Sequence, residues 1–235
     1  MGQVKVKGII ISENNMNDFD KMVTILTPNG KIGCSAKGAR KSKSLLLAGT
    51  QFLCFGEYLL FKGNDTYTMN SCETIEVFYN IRNDLDKLMK ASEITKIVSD
   101  VTDENQNTYN ILKLFLNTLY VISEKEKDLD LVLAIFKIRL MKILGFSPEI
   151  DKCVNCHEKE NLNYFSFKDN GFKCISCAKQ DTGAFKMSEG TYKSIIYAMK
   201  ADIKKTINIT VAENVVNELK IISKIYLEEK LEKKY

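Results

Sequence analysis

The chain has 235 residues, of which 45% are apolar, and it carries a formal net charge of +4 with a single histidine. This length suits two domains, or one domain with an inserted module. No apolar run reaches the roughly 18 residues of a membrane-spanning helix, and the start lacks the apolar stretch of a signal peptide, so we expect a cytoplasmic protein. The lone histidine excludes a multi-histidine catalytic metal site, which disfavours an enzyme.

Residues 3–76 have the pattern of short strands separated by turns. Pro-Asn-Gly at 28–30 and Gly-Asn-Asp at 63–65 suit tight reversals of the chain. The predicted strand segments are residues 4–7 continued by 9–11, then 23–27, 31–35, 51–62 and 66–69. Five strands in about 75 residues are typical of an OB-fold barrel.

After residue 76 the apolar residues recur at helical spacing, which predicts a helical bundle. The apolar stripes lie at residues 85–101, 109–122, 129–144, 192–199 and 215–226. Gly145, with Pro148 beyond it, predicts the end of the third helix. Thr210 and Glu213 predict a capping box at the start of the last one.

Four of the seven cysteines form two Cys-x-x-Cys pairs, Cys153 with Cys156 and Cys174 with Cys177. Each pair directs two thiolates to one point, and two pairs on facing turns complete the tetrahedron that zinc accepts from sulfur. We therefore predict one structural Zn²⁺ per chain, with no ligand position left for catalysis. Two disulfides or free thiols are the alternative, and His157 is a candidate replacement ligand or neighbour of the site.

A cationic segment, residues 36–44 (Ala-Lys-Gly-Ala-Arg-Lys-Ser-Lys-Ser), lies between two predicted strands. Its cations, Lys37, Arg40, Lys41 and Lys43, could neutralise successive phosphates, while its glycine and serines let backbone amides approach phosphate oxygens. By charge alone, a merely solvated loop is an equally good interpretation. The segment does not match a P-loop, so it does not predict nucleotide binding.

Aromatic residues and three further cysteines lie in the same strand region. The aromatic residues are Phe19, Phe52, Phe55, Tyr58, Phe61 and Tyr67. Single-strand-binding proteins use such rings to stack bases, but core packing is the better expectation for any one of them. Cys34, Cys54 and Cys72 are expected to be small buried side chains.

Taken in order, these segments resemble the RecO family of bacterial recombination and repair mediators over nearly the whole chain. The resemblance is carried by residues 7–11, 27–31, 36–44 and 138–149, followed by the two cysteine pairs. One departure from the family pattern is the loop at 14–19, which is less apolar and aromatic than the resemblance leads us to expect.

The resemblance implies an α+β protein: a five-stranded OB-fold barrel followed by an α-helical domain with an inserted four-cysteine zinc module. The expected boundaries are 1–80 for the barrel, 81–150 and 181–235 for the two parts of the helical domain, and 151–180 for the zinc module. The resemblance also implies binding to single- and double-stranded DNA, annealing of complementary strands, and help in loading RecA onto DNA coated by single-strand-binding protein. A nucleoid-associated protein without enzymatic activity is expected.

The implied protein partners are RecR and the C-terminal tail of single-strand-binding protein, with RecF as a further candidate. We assign the DNA contact to Lys37, Arg40, Lys41 and Lys43, and Lys5 and Lys7 extend it if their strand faces the same side. Two other functions stay open: an RNA-binding zinc-ribbon factor of transcription or translation, and a protein–protein scaffold with a solvated basic loop.

Overall fold

The computed structural model describes residues 2–63, 66–124, 126–207 and 209–235. Its first element is a closed five-stranded barrel with the strand order β1-β2-β3-β5-β4. The strands are β1 (Gln3–Met16), β2 (Asp20–Thr27), β3 (Gly30–Ala36), β4 (Phe55–Lys62) and β5 (Tyr67–Glu76). This order, with antiparallel pairs except for the parallel β3–β5 contact, is that of an OB-fold and confirms the expected barrel.

The strand β1 is long enough to serve two neighbours. Its first half pairs with β4, from Gln3 opposite Phe61 onward, and its second half pairs with β2 as far as Met16 opposite Asp20. A register shift between Ile10 and Ser12 separates the two halves. Such a bulge bends a strand, which lets one strand close a small barrel.

The barrel core follows from alternation along the strands. Val23 and Ile25 on β2 and Tyr58 and Leu60 on β4 point inward and are at most 1% exposed. The Tyr58 hydroxyl donates a 2.9 Å hydrogen bond to the carbonyl of Cys54, so this buried polar group has a partner. Cys34 and Cys54 are also buried, and burial raises the pKa of the Cys34 thiol to about 12, as expected of structural cysteines.

Two details of the barrel differ from the sequence prediction or lie beyond it. The fourth strand begins at Phe55 rather than at residue 51, because residues 51–54 form a turn in which Leu53 has a φ of 63°. The predicted turn at 63–65 includes Asn64 and Asp65, which lie outside the described residues.

The chain divides into two compact units, residues 1–115 and 116–235, and the division falls within a helix. The first unit adds to the barrel α1 (Tyr79–Arg82), α2 (Leu85–Asp100) and the start of α3 (Tyr109–Glu124). The boundaries expected at residues 80, 150 and 180 stay a prediction.

In the first unit, the β2–β3 turn docks onto the loop between α2 and α3. The amide of Gly30 donates to Oγ1 of Thr108 at 3.0 Å, and the amide of Thr108 donates to the carbonyl of Pro28 at 3.0 Å. Gly30 has a φ of 106°, and a Cβ atom there would lie 2.5 Å from the carbonyl oxygen of Asp103. Only glycine fits this contact.

The second unit contains the remaining helices and a small sheet. The helices are α4 (Leu129–Ile143), α5 (Ile175–Ala178), α6 (Glu189–Lys200), α7 (Ile203–Thr206) and α8 (Glu213–Leu231). The strands β6 (Tyr164–Ser166), β7 (Gly171–Lys173) and β8 (Phe185–Lys186) pair in the order β7-β6-β8. The predicted apolar stripes on α4, α6 and α8 are confirmed as core, since α4 packs against both other helices.

Helix ends in the second unit show one confirmed and one wrong prediction. The chain leaves α4 through Gly145, whose φ of 86° suits the left-handed turn that ends a helix. The capping box at Thr210 is wrong: α8 begins after Ala212 without a side-chain cap, and Oγ1 of Thr210 accepts a hydrogen bond from Lys127. The end of α6 is capped by a side chain from another helix: Arg139 on α4 donates a 2.8 Å hydrogen bond to the carbonyl of Ala198.

Candidate nucleic-acid interface and metal centre

The cationic segment lies at the start of the connection between β3 and β4. Residues 37–54 form successive turns, and two residues anchor them: Ala39, which is 0% exposed, and Leu46, which is 8% exposed. The amide of Lys41 donates to the carbonyl of Gly38 at 3.1 Å. The amide of Ser44 donates to the carbonyl of Lys41 at 2.9 Å, so the backbone that carries the cations is internally bonded.

The turn between β1 and β2, residues 17–19, braces this segment from one side. The carboxylate of Asp20, the first residue of β2, accepts a 2.7 Å hydrogen bond from the amide of Gly38. The amide of Arg40 donates to the carbonyl of Phe19 at 2.9 Å, and its guanidinium donates to the carbonyl of Asn17 at 3.2 Å. The cationic segment is therefore bonded to the barrel at several points.

The four loop cations point outward. Lys37, Arg40, Lys41 and Lys43 are all exposed, and they follow one another along a single stretch of surface backbone. Nζ of Lys41 lies 5.6 Å from the centre of the Phe19 ring, within the range of a cation–π contact. An exposed series of cations on a braced loop is the arrangement that phosphate neutralisation requires.

Lys5 and Lys7 lie on β1, whereas the cationic loop follows β3. Both are exposed on the half of β1 that pairs with β4, and about 30 Å of strand separates Lys7 from Met16, where the β1–β2 turn begins. Lys5 forms a 2.5 Å ion pair with Glu57, and Nζ of Lys7 lies 5.4 Å from the Phe55 ring centre. The four loop cations thus share one segment, whereas Lys5 and Lys7 lie on β1.

The aromatic residues of the barrel divide between core and surface. Tyr58 is 0% exposed, as core packing predicts, whereas Phe61 is 44% exposed and Phe19 is 51% exposed. Phe19 sits in the segment that departs from the family pattern, so neither periodicity nor resemblance indicated its place beside the cations.

The two cysteine pairs meet in the second unit. The sulfur atoms of Cys153, Cys156, Cys174 and Cys177 all lie within 4.8 Å of one another, and those of Cys156 and Cys174 are 3.6 Å apart. A tetrahedral zinc site with Zn–S bonds of about 2.3 Å places its sulfurs about 3.8 Å apart, so these four positions fit such an ion. The arrangement can hold a metal ion.

The pKa values within the cluster show how closely the thiols interact. Burial opposes ionisation of Cys153, yet hydrogen bonds from the amides of Cys156, Cys174 and Asn155 lower its pKa to about 6. The hydrogen bond to Cys156 is the chief cause that raises the pKa of Cys177 to about 12. A divalent ion held here would displace the thiol protons and bind the four sulfurs directly, offsetting part of their negative charge.

His157 is outside the group of sulfur ligands. It is exposed, its backbone has a φ of 62°, and its amide donates to the carbonyl of Cys153 at 3.0 Å. His157 thus closes the turn that holds the first cysteine pair through its backbone. The candidate ligand set consists of the four cysteines.

The cysteine module contains a buried ion network that sequence analysis missed. The Lys173 side chain is 3% exposed, and its ammonium donates to the carboxylate of Asp181 at 2.8 Å and also to Asp169. Oγ of Ser166 donates to the same Asp181 carboxylate at 2.6 Å. The partners come from separate segments, and no local pattern in the sequence signals that they meet.

These features define a class, namely OB-barrel proteins with an exposed basic loop and an appended helical unit that carries a four-cysteine module. Family models for the N-terminal and C-terminal parts of recombination protein O match residues 1–78 and 82–235. The chain belongs to the RecO family.

Relatives support this assignment across the whole length. The DNA repair protein RecO of Acetivibrio thermocellus is 43% identical over 237 residues, covering 100% of this chain and 94% of that protein. The DNA repair protein RecO of Thermoanaerobacter sp. is 32% identical over 233 residues, covering 99% and 94%. That of Caldicellulosiruptor bescii is 31% identical over 235 residues, covering 99% and 95%. Membership in this family supports a role in DNA repair or recombination.

Within the described ranges, no helix has both the length and the apolar character needed to cross a bilayer.

Proposed function

We propose that the protein is a DNA-binding mediator of recombination and repair that anneals complementary single strands without enzymatic chemistry. The observation that carries this proposal is the braced surface loop with exposed Lys37, Arg40, Lys41 and Lys43 on an OB-fold barrel. Family membership supports the same role. Lys5 and Lys7 are assigned at most a secondary contact, because their strand pair is separate and Glu57 partly neutralises Lys5.

Annealing has a simple electrostatic requirement. Two complementary strands are polyanions that repel each other, so a protein that brings cations to both lowers the barrier to their encounter through counterion release. Cations held on a hydrogen-bonded loop keep their spacing without a large ordering cost on binding. The proposed loop thus suits strand annealing, which makes and breaks no covalent bond.

The proposed partners follow the family role. The protein binds single- and double-stranded DNA and, with RecR, helps load RecA onto DNA coated by single-strand-binding protein, whose C-terminal tail it contacts. RecF is a further candidate partner. In this proposal the protein acts in the cytoplasm, at the nucleoid.

The proposed cofactor is one structural Zn²⁺ per chain, held by Cys153, Cys156, Cys174 and Cys177. The ion would neutralise part of the charge of the four thiolates, and its bonds to them would link the turn before β6 to the start of α5. The backbone amides that donate to Cys153 stabilise its thiolate and so prepare the site for a cation. The ion has no step in annealing.

A strand-annealing assay with complementary oligonucleotides, bare or coated by single-strand-binding protein, tests the function. Replacement of Lys37, Arg40, Lys41 and Lys43 by alanine should slow annealing, weaken single-strand binding at least about tenfold at moderate salt and give a shallower salt dependence. The matched control removes four exposed cations of the second unit instead. These are Lys179, Lys193, Lys224 and Lys234. Equal losses in both variants would remove the loop from the DNA footprint.

Competition between single-stranded DNA and RNA of equal length separates this proposal from an RNA-binding zinc-ribbon factor. A strong RNA preference, carried by contacts to the 2′-hydroxyl, would favour the RNA-binding function. Folded, zinc-loaded protein that binds no DNA at low salt would favour the scaffold.

A further inference from the structure

The β1–β2 turn and the cationic loop enclose a shallow surface depression. Its lining includes Asp18, Phe19, Asp20, Lys37 and Lys41. Phe19 is 51% exposed although its backbone carbonyl is tied to Arg40 at 2.9 Å. The ring is therefore accessible to a ligand, and it stands directly beside the proposed phosphate-binding cations.

The chemistry of the depression favours a base over a phosphate. The carboxylate of Asp18 repels phosphate oxygens, whereas a nucleobase is uncharged and has two flat faces that can stack on a ring. Lys37 and Lys41 lie on the same lining and can hold the phosphates that flank such a base.

The ammonium of Lys41 lies over the Phe19 ring, where a stacked base would also bind. Its Nζ is 5.6 Å from the centre of the ring. A solvent-exposed cation–π contact changes an equilibrium constant only a few-fold, whereas a stacked base is worth about tenfold or more by alanine substitution. A base therefore displaces the ammonium, and the released charge pairs with a neighbouring phosphate at no net loss of cation contacts.

We propose that Phe19 is a nucleobase-stacking residue of a single-stranded DNA site, with Lys41 resting on its ring in the free protein and moving to a phosphate when a base enters. This inference rests on the proposed DNA-binding function. It gives the loop a preference for unpaired bases, because a base inside a duplex is already stacked on both faces. The cations alone bind any polyanion.

Intrinsic fluorescence gives a direct test, because the chain contains no tryptophan. In full-length zinc-loaded protein, Phe19→Trp places a single reporter in the depression. The control is Tyr120→Trp, at a 54% exposed position on α3. The probe is oligothymidylate of about 16 nucleotides, the upper end of the footprint of one OB-fold. A second probe has the same length and charge but lacks bases.

Saturating oligothymidylate should quench the Phe19→Trp emission strongly, while the abasic chain and the Tyr120→Trp control should show little change. Phe19→Ala should weaken oligothymidylate binding about tenfold and leave abasic-chain binding unchanged. Phe19→Tyr, which keeps the ring, should restore binding. Because Phe19 is half exposed, these variants should fold, and circular dichroism checks that they do.

Equal quenching by the abasic chain, or equal oligothymidylate affinity of the wild type and Phe19→Ala, would overturn the stacking site while leaving loop-mediated DNA binding intact. A wild-type protein that binds neither probe would overturn both the stacking site and the proposed function.

Discussion

The amide of Gly38 donates a 2.7 Å hydrogen bond to Oδ1 of Asp20, so a carboxylate anchors the loop that carries the cations. Viewed only as charge, Asp20 opposes phosphate binding. Viewed as a hydrogen-bond acceptor, it holds the loop in place, and bonds to a carboxylate are stronger than bonds to a neutral acceptor. The two roles predict opposite effects of replacing this residue.

We expect Asp20→Ala to weaken single-stranded DNA binding about three- to tenfold, although it raises the net charge, because the lost hydrogen bond loosens the loop. Asp20→Asn removes the same charge but keeps an acceptor, so it should bind at least as well as the wild type. Fluorescence anisotropy measures both affinities. Faster hydrogen exchange at the Gly38 amide in Asp20→Ala, but not in Asp20→Asn, would show that the lost hydrogen bond loosens the loop. Tighter DNA binding by Asp20→Ala would contradict this role of Asp20.

Two glycines of β3 give a matched pair for stability. Gly30→Ala should destabilise the first unit by about 3 kcal/mol or more, because it combines a φ of 106° with a Cβ 2.5 Å from the Asp103 carbonyl oxygen. At Gly33 nothing lies within 4 Å of an added Cβ, so Gly33→Ala should be nearly neutral. Urea unfolding of both variants checks this, and similar free energies of unfolding would contradict the docked turn.

Metal content tests the cysteine cluster. Protein purified anaerobically should contain about one zinc per chain, and Cys153→Ser or Cys177→Ser should reduce this strongly. Cys72→Ser is the control, because Cys72 lies in the barrel unit, and it should retain the metal. Elemental analysis together with a free-thiol assay provides the measurement. Full retention of zinc by both cluster variants would show that the metal binds elsewhere.

The buried ion pair of the cysteine module predicts a large effect from removing one partner. Lys173→Met removes the shorter ion pair of the buried Asp181 carboxylate and leaves it only the exposed Lys168, whose ammonium is 3.6 Å away, so it should destabilise the second unit by about 3 kcal/mol. Lys193→Ala breaks an exposed ion pair with Glu189 and should cause no measurable change. Denaturant titration followed by circular dichroism compares the two. Equal changes in the free energy of unfolding would mean that the buried ion pair does not stabilise the second unit.

The same pair predicts a dependence of stability on pH. The hydrogen bond from Lys173, helped by that from Ser166, lowers the pKa of Asp181 from 3.8 to about 2. A carboxyl whose pKa is lower when folded stabilises fully above its unfolded pKa and loses this contribution as the pH falls through the folded value. Asp181 should therefore contribute about 2 kcal/mol at pH 4 that is absent below pH 2.

Comparison with Asp181→Asn isolates this contribution from those of other carboxylates. Between about pH 4 and pH 2 the wild type should lose more unfolding free energy than the variant, by about 2 kcal/mol. Parallel pH profiles would show that Asp181 ionises alike in both states.

Local patterns predicted much of this molecule. The strand predicted at residues 23–27 lies within β2, and Gly145 marked the end of α4, because these signals depend on neighbours within one turn or strand. Each Cys-x-x-Cys pair is a local signal too, whereas the meeting of the two pairs was predicted from the four sulfur ligands that a zinc ion requires. The failure at Thr210 shows the limit: a residue with the right local pattern bonds instead to Lys127, far away in the chain.

The remaining features depend on tertiary contacts that no local pattern indicates. Nothing near Phe19 indicates that Lys41 will lie over its ring, and no strand or helix spacing relates Lys173 to Asp181, although the two are only eight residues apart. The Pro-Asn-Gly pattern predicts the turn at Gly30 but not its docking against Thr108. Spacing along the chain encodes strands, helix ends and each Cys-x-x-Cys pair, because these form within a few residues. The closure of the barrel and the packing of the helices determine which polar and aromatic groups become neighbours. The free energy gained by burying apolar surface depends on the whole fold and not on any single segment.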